Sequence, residues 1–407
     1  MKIFGDHDEN TVAQMQRVAE HAAHTALMAD GHVGYVMPIG GVAAYRNQVS
    51  VVGVGFDIAC GNAAIRTDLT LDALGSTAAA RQARLLELAN EIEQTVSFGV
   101  GRKNTADDAP VDHSLFLDAG WDAVPAKYRQ SLVAKARNQL GTVGSGNHYV
   151  DVFVDTAGQL WVGVHFGSRG FGHTVASGFL ALGQGKAWGD HAPEREVLFD
   201  LNSPIGHDYW TLMNLAGRYA YAGREWVARK VVALLGGHEL ELVHNHHNFA
   251  WKETHDGEEF VVVRKGATPA FPGQSGFVGG SMGDDAVIVR GIVVPDDHPV
   301  ADLQRAAMFS TVHGAGRVMS RTAAAGKVRR KTGEVITPGR ISPEMMHEWL
   351  AGVGVILKGG GLDEAPQAYR RLPAVLAAQQ GTVDVIETLK PLVVVMAGSN
   401  EFDPYKD

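Results

Sequence analysis

Only one cysteine, Cys60, occurs in 407 residues, so no intramolecular disulfide can form and a reducing compartment is expected. No stretch approaches the roughly 18 consecutive apolar residues that a membrane span needs. The opening Met1-Lys2-Ile3-Phe4-Gly5-Asp6 has no apolar core of the kind that directs export. Positive charge is scarce as well. Lys plus Arg is 36 against 45 for Asp plus Glu, a net charge of −9. That argues against a non-specific nucleic-acid coat protein while leaving room for a local basic site. Glycine, by contrast, is abundant, with 49 residues against an average of roughly 7%. It follows no three-residue period and is scattered among apolar runs, which excludes collagen-like and low-complexity chains. With 45% hydrophobic and 20% charged residues the chain can bury a large core. The expectation is a soluble, cytoplasmic enzyme.

Helical and extended patterns interleave. Val12, Met15, Val18 and Ala22 recur at helical spacing, as do Leu85, Leu86, Leu88, Ile92 and Val96, and Tyr209 to Leu235 reads as one long helix or two. Extended runs are expected at Val51–Phe56, Tyr149–Val154, Leu160–His165, Phe260–Val263 and Ala286–Val294. No repeat, linker or composition break divides the chain. A single large α+β domain with mixed sheets and surrounding helices is therefore expected over residues 1–398, followed by an acidic tail at 399–407. Gly326–Arg340, which carries Lys327, Arg329, Arg330, Lys331 and Arg340, reads as a basic loop.

Potential metal ligands gather where apolar runs meet glycine-rich turns: Asp57 and Cys60 before Gly61, His148 after Gly144-Ser145-Gly146-Asn147, His165 before Phe166-Gly167, and His244, His246 and His247 together. A thiolate with imidazoles and a carboxylate suits Zn2+, Mn2+, Fe2+ or Co2+, and a bridging sulfur would let one cysteine serve two ions. Taken singly, the same residues also fit a buried small cysteine and hydrogen-bonded core histidines, and no compact spacing motif decides between the two.

Glycines beside hydroxyl and cationic side chains recur at Arg264-Lys265-Gly266-Ala267-Thr268, at Gly279-Gly280-Ser281-Met282-Gly283 and at His313-Gly314-Ala315-Gly316-Arg317. Such turns bring backbone N–H groups up to phosphate oxygens. His313 could serve as nucleophile, general base or ligand. On a helix, Arg317 and Arg321 would share a face and could clamp a phosphate or simply meet solvent.

These strings, with Asp30-Gly31-His32-Val33-Gly34-Tyr35, Pro38-Ile39-Gly40-Gly41 and Gly53 to Gly61, resemble the RtcB family of GTP-dependent RNA ligases from about residue 30 to residue 398. The resemblance implies two Mn2+ ions bridged by Cys60, one adding His165 and His247, the other Asp57 and His148. His247 is preferred over His244 and His246 because the family's ligand directly precedes an asparagine. It implies GTP as cosubstrate and His313 as the residue that becomes guanylylated. Asn147, Asp151, Ser281, Gly314, Ala315, Gly316 and Arg317 then lie at the nucleotide. The implied substrate is RNA with 3′-phosphate or 2′,3′-cyclic phosphate and 5′-hydroxyl ends, contacted around Arg169, Arg317, Arg321 and Lys327 to Lys331, with an archease-type activator as a further partner.

Two departures from the family pattern stand out. Asp151 replaces a glutamate, and the chain reads Val395-Met396-Ala397-Gly398 where the family ends in a lysine-glycine pair. They motivate a second expectation, a divergent member that guanylylates or processes 3′-ends without sealing them. A silent metal- or RNA-binding module is a third.

Overall fold

Helix Pro204–Leu235, the longest element, has both ends written into the sequence. Ser203 Oγ accepts from the Gly206 N–H at 3.1 Å, Pro204 fills the first turn, and Gly236 terminates the helix in a left-handed conformation with φ 82°. One unbroken helix thus covers Tyr209 to Leu235. Helix Ala78–Thr95 starts at Thr77, whose hydroxyl accepts from the Ala80 N–H, and buries Leu85, Leu88, Ala89 and Ile92 along one face. The first helix, Glu9–Ala19, ends before Ala22. These elements belong to a computed structural model that describes residues 1–329, 334–398 and 401.

The strands form two main sheets. The smaller runs Lys2–Ile3, His24–His32, Ile39–Tyr45, Glu258–Lys265, Asn248–His255. The larger runs Ser275–Val278, Ala286–Gly291, Val383–Gly398, Tyr149–Val154, Gln159–Phe166, Gly61–Thr70, Glu239–His246, with Ile356–Gly360 beside Val383–Gly398. Most pairings are antiparallel, but Lys2–Ile3 with His24–His32 and Ile356–Gly360 with Val383–Gly398 are parallel. The fold is α+β with mixed sheets.

The larger sheet is covered on both faces. On one, Val150, Val152, Val162 and Val164 meet Leu85, Leu88 and Ile92 of helix Ala78–Thr95 and Val227 and Val231 of the long helix. On the other, the sheet curls on itself, Phe153 and Trp161 packing with Phe277 and Ile288 of its own strands. Burial on two sides is why these strands read as near-continuous apolar runs.

Several boundaries differ from the sequence pattern. Leu160–His165 lengthens to Gln159–Phe166, Phe260–Val263 lengthens to Glu258–Lys265, and the run from Ala286 stops at Gly291. Val51–Phe56 is not a strand: Val51–Val54 is a short helix, because Ser50 Oγ accepts from the Gly53 N–H at 2.8 Å and a local cap outweighs the β preference of the valines. The basic loop is a pair of antiparallel strands, Gly326–Arg329 and Glu334–Pro338, the second rich in β-branched Val335, Ile336 and Thr337. Arg330 and Lys331 lie outside the described residues, as does the acidic tail apart from Glu401, which pairs with Arg102. Among the described residues no helix is long and apolar enough to cross a membrane.

Candidate active site

The large sheet brings the dispersed ligand candidates to one end. Cys60 immediately precedes Gly61–Thr70, and that strand pairs with its neighbours in a register that sets Asn62 opposite His165 and Gly61 opposite His246. A side chain at Gly61 would run into the Asn245 carbonyl, so glycine lets the two strands close up beside Cys60. His247 is the single residue between Glu239–His246 in the large sheet and Asn248–His255 in the small one. Its N–H donates to the Cys60 carbonyl at 2.8 Å and its carbonyl accepts from Ala267 N–H at 3.2 Å. Ala267 pairs in turn with Val312, one residue before His313.

Two donor groups result, Cys60 with His165 and His247, and Asp57 with Cys60 and His148, the donor atoms within each lying within 4.8 Å of one another. Cys60 Sγ is 3.2 Å from His165 Nε2 and 3.6 Å from His148 Nε2, and Asp57 Oδ2 is 3.1 Å from His148 Nε2. His148 Nδ1 sits 3.0 Å from the Val143 carbonyl, and its Nε2 faces the cluster. Burial, reinforced by neighbouring histidines, holds His165 and His247 far below the usual imidazole range, so both are neutral with lone pairs available. Burial raises Asp57, but the hydrogen bond and charge of His148, with Arg169, outweigh it and bring the carboxylate to about 2. Burial and the Asp57 carboxylate push the Cys60 thiol up. His247 Nδ1 is buried without a hydrogen-bond partner. A divalent cation would reverse the preference of the thiol by supplying the charge the apolar surroundings withhold, and this donor set fits such an ion.

His313 stands beside this cluster, its ring centroid 4.9 Å from that of His247. Its Nδ1 lies 2.5 Å from Asp30 Oδ2, and the same oxygen accepts the His313 N–H at 2.9 Å and the Gly314 N–H at 3.3 Å. The Asp30 side chain is fully buried. With the Nδ1 proton directed at Asp30, Nε2 carries the lone pair, the arrangement expected of a nucleophile or ligand. Asp30 belongs to the string Asp30-Gly31-His32, in which no local pattern marks it for a role. It is a carboxylate in an apolar strand, and its partner lies 283 residues away.

The nucleotide candidates divide. Gly314 bridges to Gly279, so the turn at His313–Arg317 lies against the turn carrying Ser281. Gly316 has φ 71° and a Cβ there would strike the Asp30 carbonyl, so only glycine fits. Ala315 is buried, and Ser281 Oγ donates to Asp284 Oδ2 at 2.6 Å. Asn147 lies half-buried in the turn before Tyr149–Val154. Asp151, inside that strand, is buried with Oδ1 unpartnered, and burial raises its carboxyl well above the usual range.

Arg317 and Arg321 do not share a helix face. Arg321 opens helix Arg321–Ala325, while Arg317 precedes it in an extended bridge with Tyr369. Arg317 reaches Tyr369 Oη at 2.9 Å, Glu364 Oε2 at 3.2 Å and the Asp363 carbonyl at 2.7 Å. Arg321 reaches Asp363 Oδ2 at 3.2 Å and also pairs with Glu364. Both guanidiniums are directed at one acidic turn, because that turn packs against helix Arg321–Ala325. Arg169, at a left-handed φ of 56°, reaches the donor cluster instead, 3.4 Å from His148 Nδ1.

With this geometry in hand, comparison with known proteins is direct. The family described as tRNA-splicing ligase RtcB matches residues 10–397. RNA-splicing ligase RtcB of Escherichia coli K12 is 33% identical over 395 aligned positions, covering 91% of this chain and 90% of its own. The tRNA-splicing ligases RtcB of Thermococcus kodakarensis and Pyrobaculum aerophilum are 29% and 30% identical, covering 97% and 91% of this chain and 94% and 87% of theirs.

Proposed function

The chain belongs to the RtcB family, and from that premise we propose that it is a GTP- and Mn2+-dependent RNA ligase acting in RNA repair or tRNA splicing. It joins an RNA 3′-phosphate or 2′,3′-cyclic phosphate end to a 5′-hydroxyl end. The observation that carries the proposal is His313, held by a buried carboxylate and set beside a convergent donor cluster.

Asp30 holds the Nδ1 proton, so His313 Nε2 is the atom that attacks the α-phosphorus of GTP. An N–P bond forms and pyrophosphate leaves. An oxygen of the RNA 3′-phosphate then displaces the histidine and takes the GMP. The RNA 5′-hydroxyl attacks the activated 3′-phosphorus, closing the phosphodiester and releasing GMP. A cyclic phosphate is first opened by water to the 3′-phosphate. Cys60, His165 and His247 would hold one Mn2+ and Asp57, Cys60 and His148 the other, where a divalent ion neutralises charge on phosphate oxygens. Asn147, Asp151, Ser281, Gly314, Ala315, Gly316 and Arg317 surround the guanylate in this reading. Arg317 contributes through its turn, since its guanidinium is engaged by Glu364 and Tyr369. Burial raises the Asp151 carboxyl and so favours its protonated form.

Incubation with Mn2+ and radiolabelled GTP labels the wild-type protein covalently and leaves His313→Ala unlabelled; no label under any divalent metal overturns the proposal. An archease-type activator is expected to raise the labelling rate. Asp151, and Ala397 where the resemblance implies a lysine, motivate a second reading, guanylylation without sealing; the strand carrying Ala397 has Met396 opposite Tyr149 and so ends near the turn holding Asn147. Labelling without a joined RNA product supports that reading, and efficient joining removes it.

A further inference from the structure

Arg224 lies in the middle of the long helix, is fully buried, and faces the reverse side of the donor cluster. Its Nη1 donates to the Ala59 carbonyl at 2.9 Å and the Phe166 carbonyl at 2.5 Å. Its Nε donates to His244 Nε2 at 2.9 Å and its Nη2 to His246 Nδ1 at 2.8 Å. Ala59 precedes Cys60, Phe166 follows His165, and His246 precedes His247. One guanidinium therefore grips all three segments that carry the Cys60, His165 and His247 donors, each at the residue next to the donor. Alternate side chains of the strand Glu239–His246 share a side, so His244 and His246 both turn to Arg224; at Ala59 and Phe166 it holds the main-chain carbonyls beside the donors.

The charge of Arg224 makes the arrangement costly unless something nearby is negative. Its four acceptors are two carbonyls and two imidazoles, and burial holds both imidazoles neutral, His244 at about 3 and His246 well below the usual range. Burial opposes the guanidinium charge, and the groups that favour it are Tyr221, Cys60, Asp57 and Glu225. Two of these four belong to the donor groups. A rigid, five-donor fork is the side chain that meets four separated acceptors at once, which a lysine ammonium with three donors on a flexible stem does not reproduce. Tyr221 completes the rear wall, stacked on His246 with centroids 3.9 Å apart.

We infer that Arg224 is a positioning residue for the metal centre, fixing Cys60, His165 and His247 relative to one another through the residues beside them. The inference rests on reading these residues as metal ligands. Outer partners of this kind change metal affinity by about 10–100-fold.

The test uses full-length protein and Mn2+ alone, measured by calorimetry, in two single-ion backgrounds. His148→Ala leaves the Cys60–His165–His247 ion and His247→Ala leaves the Asp57–Cys60–His148 ion. Arg224→Lys is expected to weaken the first by at least about tenfold and the second by less than about threefold. With Co2+ in place of Mn2+, the thiolate-to-cobalt absorption of the first background should shift or fade on Arg224→Lys. Equal losses in both backgrounds mean general loosening of the fold and overturn the inference, as does no loss in either. Should Arg224→Lys fail to fold, His246→Asn, which alters one acceptor only, is expected to give the same order of losses at smaller size; equal or absent losses there overturn it equally. Failure of wild-type protein to bind Mn2+ removes the ligand reading itself, a result separable from any effect at Arg224.

Discussion

Two clusters of charge-bearing side chains flank His313 and are built to opposite rules. Around Cys60, donor atoms converge and pairing is incomplete: the imidazoles of His165 and His247 are neutral, His247 Nδ1 has no partner, and the nearby Asp151 Oδ1 has none either. Around Arg317 and Arg321, opposite charges meet, with both guanidiniums on Asp363 and Glu364 and Tyr369 adding its hydroxyl to Arg317. Buried polar atoms normally find partners, so a convergent set left open marks a place for a ligand, whereas a closed set marks a brace. The arginines that looked available in the sequence belong to the brace, and the histidines that looked like ordinary core residues belong to the open set.

The sharpest way to break this contrast is at Cys60, the donor common to both groups. Cys60→Ser should lower GTP labelling and RNA joining by about a thousandfold, the loss of several kcal/mol of charge stabilisation, while calorimetry shows both Mn2+ sites weakened. A single-site loss would mean that the sulfur is not shared. Arg317→Leu probes the brace and should cost about 2 kcal/mol in urea unfolding, because Glu364 loses one charged hydrogen-bond partner while Arg321 still pairs with it; Mn2+ affinity should hold steady. If affinity falls with stability, the two clusters are not separate. Asp30→Asn should reduce labelling by about a hundredfold, the size typical of losing a proton-orienting group, with little change in Mn2+ binding. Ala397→Lys adds a charge where the family resemblance implies a lysine, and a contact of about 1.5 kcal/mol should tighten GTP about tenfold.

The mildest test concerns Lys265, a buried cation that donates to the Val52 carbonyl at 2.9 Å. Burial pulls it from 10.5 to about 8. Between those values the unfolded chain holds the proton that the folded chain has released, so stability should rise with pH across that window. Lys265→Met should flatten the rise, as read by unfolding at graded pH.

Much of the site was legible before any geometry. Cys60, Asp57, His148 and His165 each stand where an apolar run meets a glycine-rich turn, and the structure gathers them at one end of the large sheet. The residues alone leave His244, His246 and His247 open, and only the family resemblance singles out His247, which precedes Asn248; strand alternation agrees, since His244 and His246 share the side that meets Arg224. Asp30 and Arg224 went unassigned because their partners lie 283 and 165 residues away for His313 and Ala59, beyond any local pattern. Val51–Val54 misled because a serine cap decides a four-residue helix more strongly than side-chain preference does.

The amino-acid sequence by itself determined most of the element types, the α+β class and the list of residues able to bind a metal or a nucleotide. These follow from periodicity, capping and side-chain chemistry, which act within a few residues. Only the tertiary structure decided which donors meet, which imidazoles are neutral, which guanidiniums are closed off by carboxylates and which buried atoms remain open. Those properties depend on desolvation and on contacts between segments far apart in the chain, and no local stretch of residues carries them.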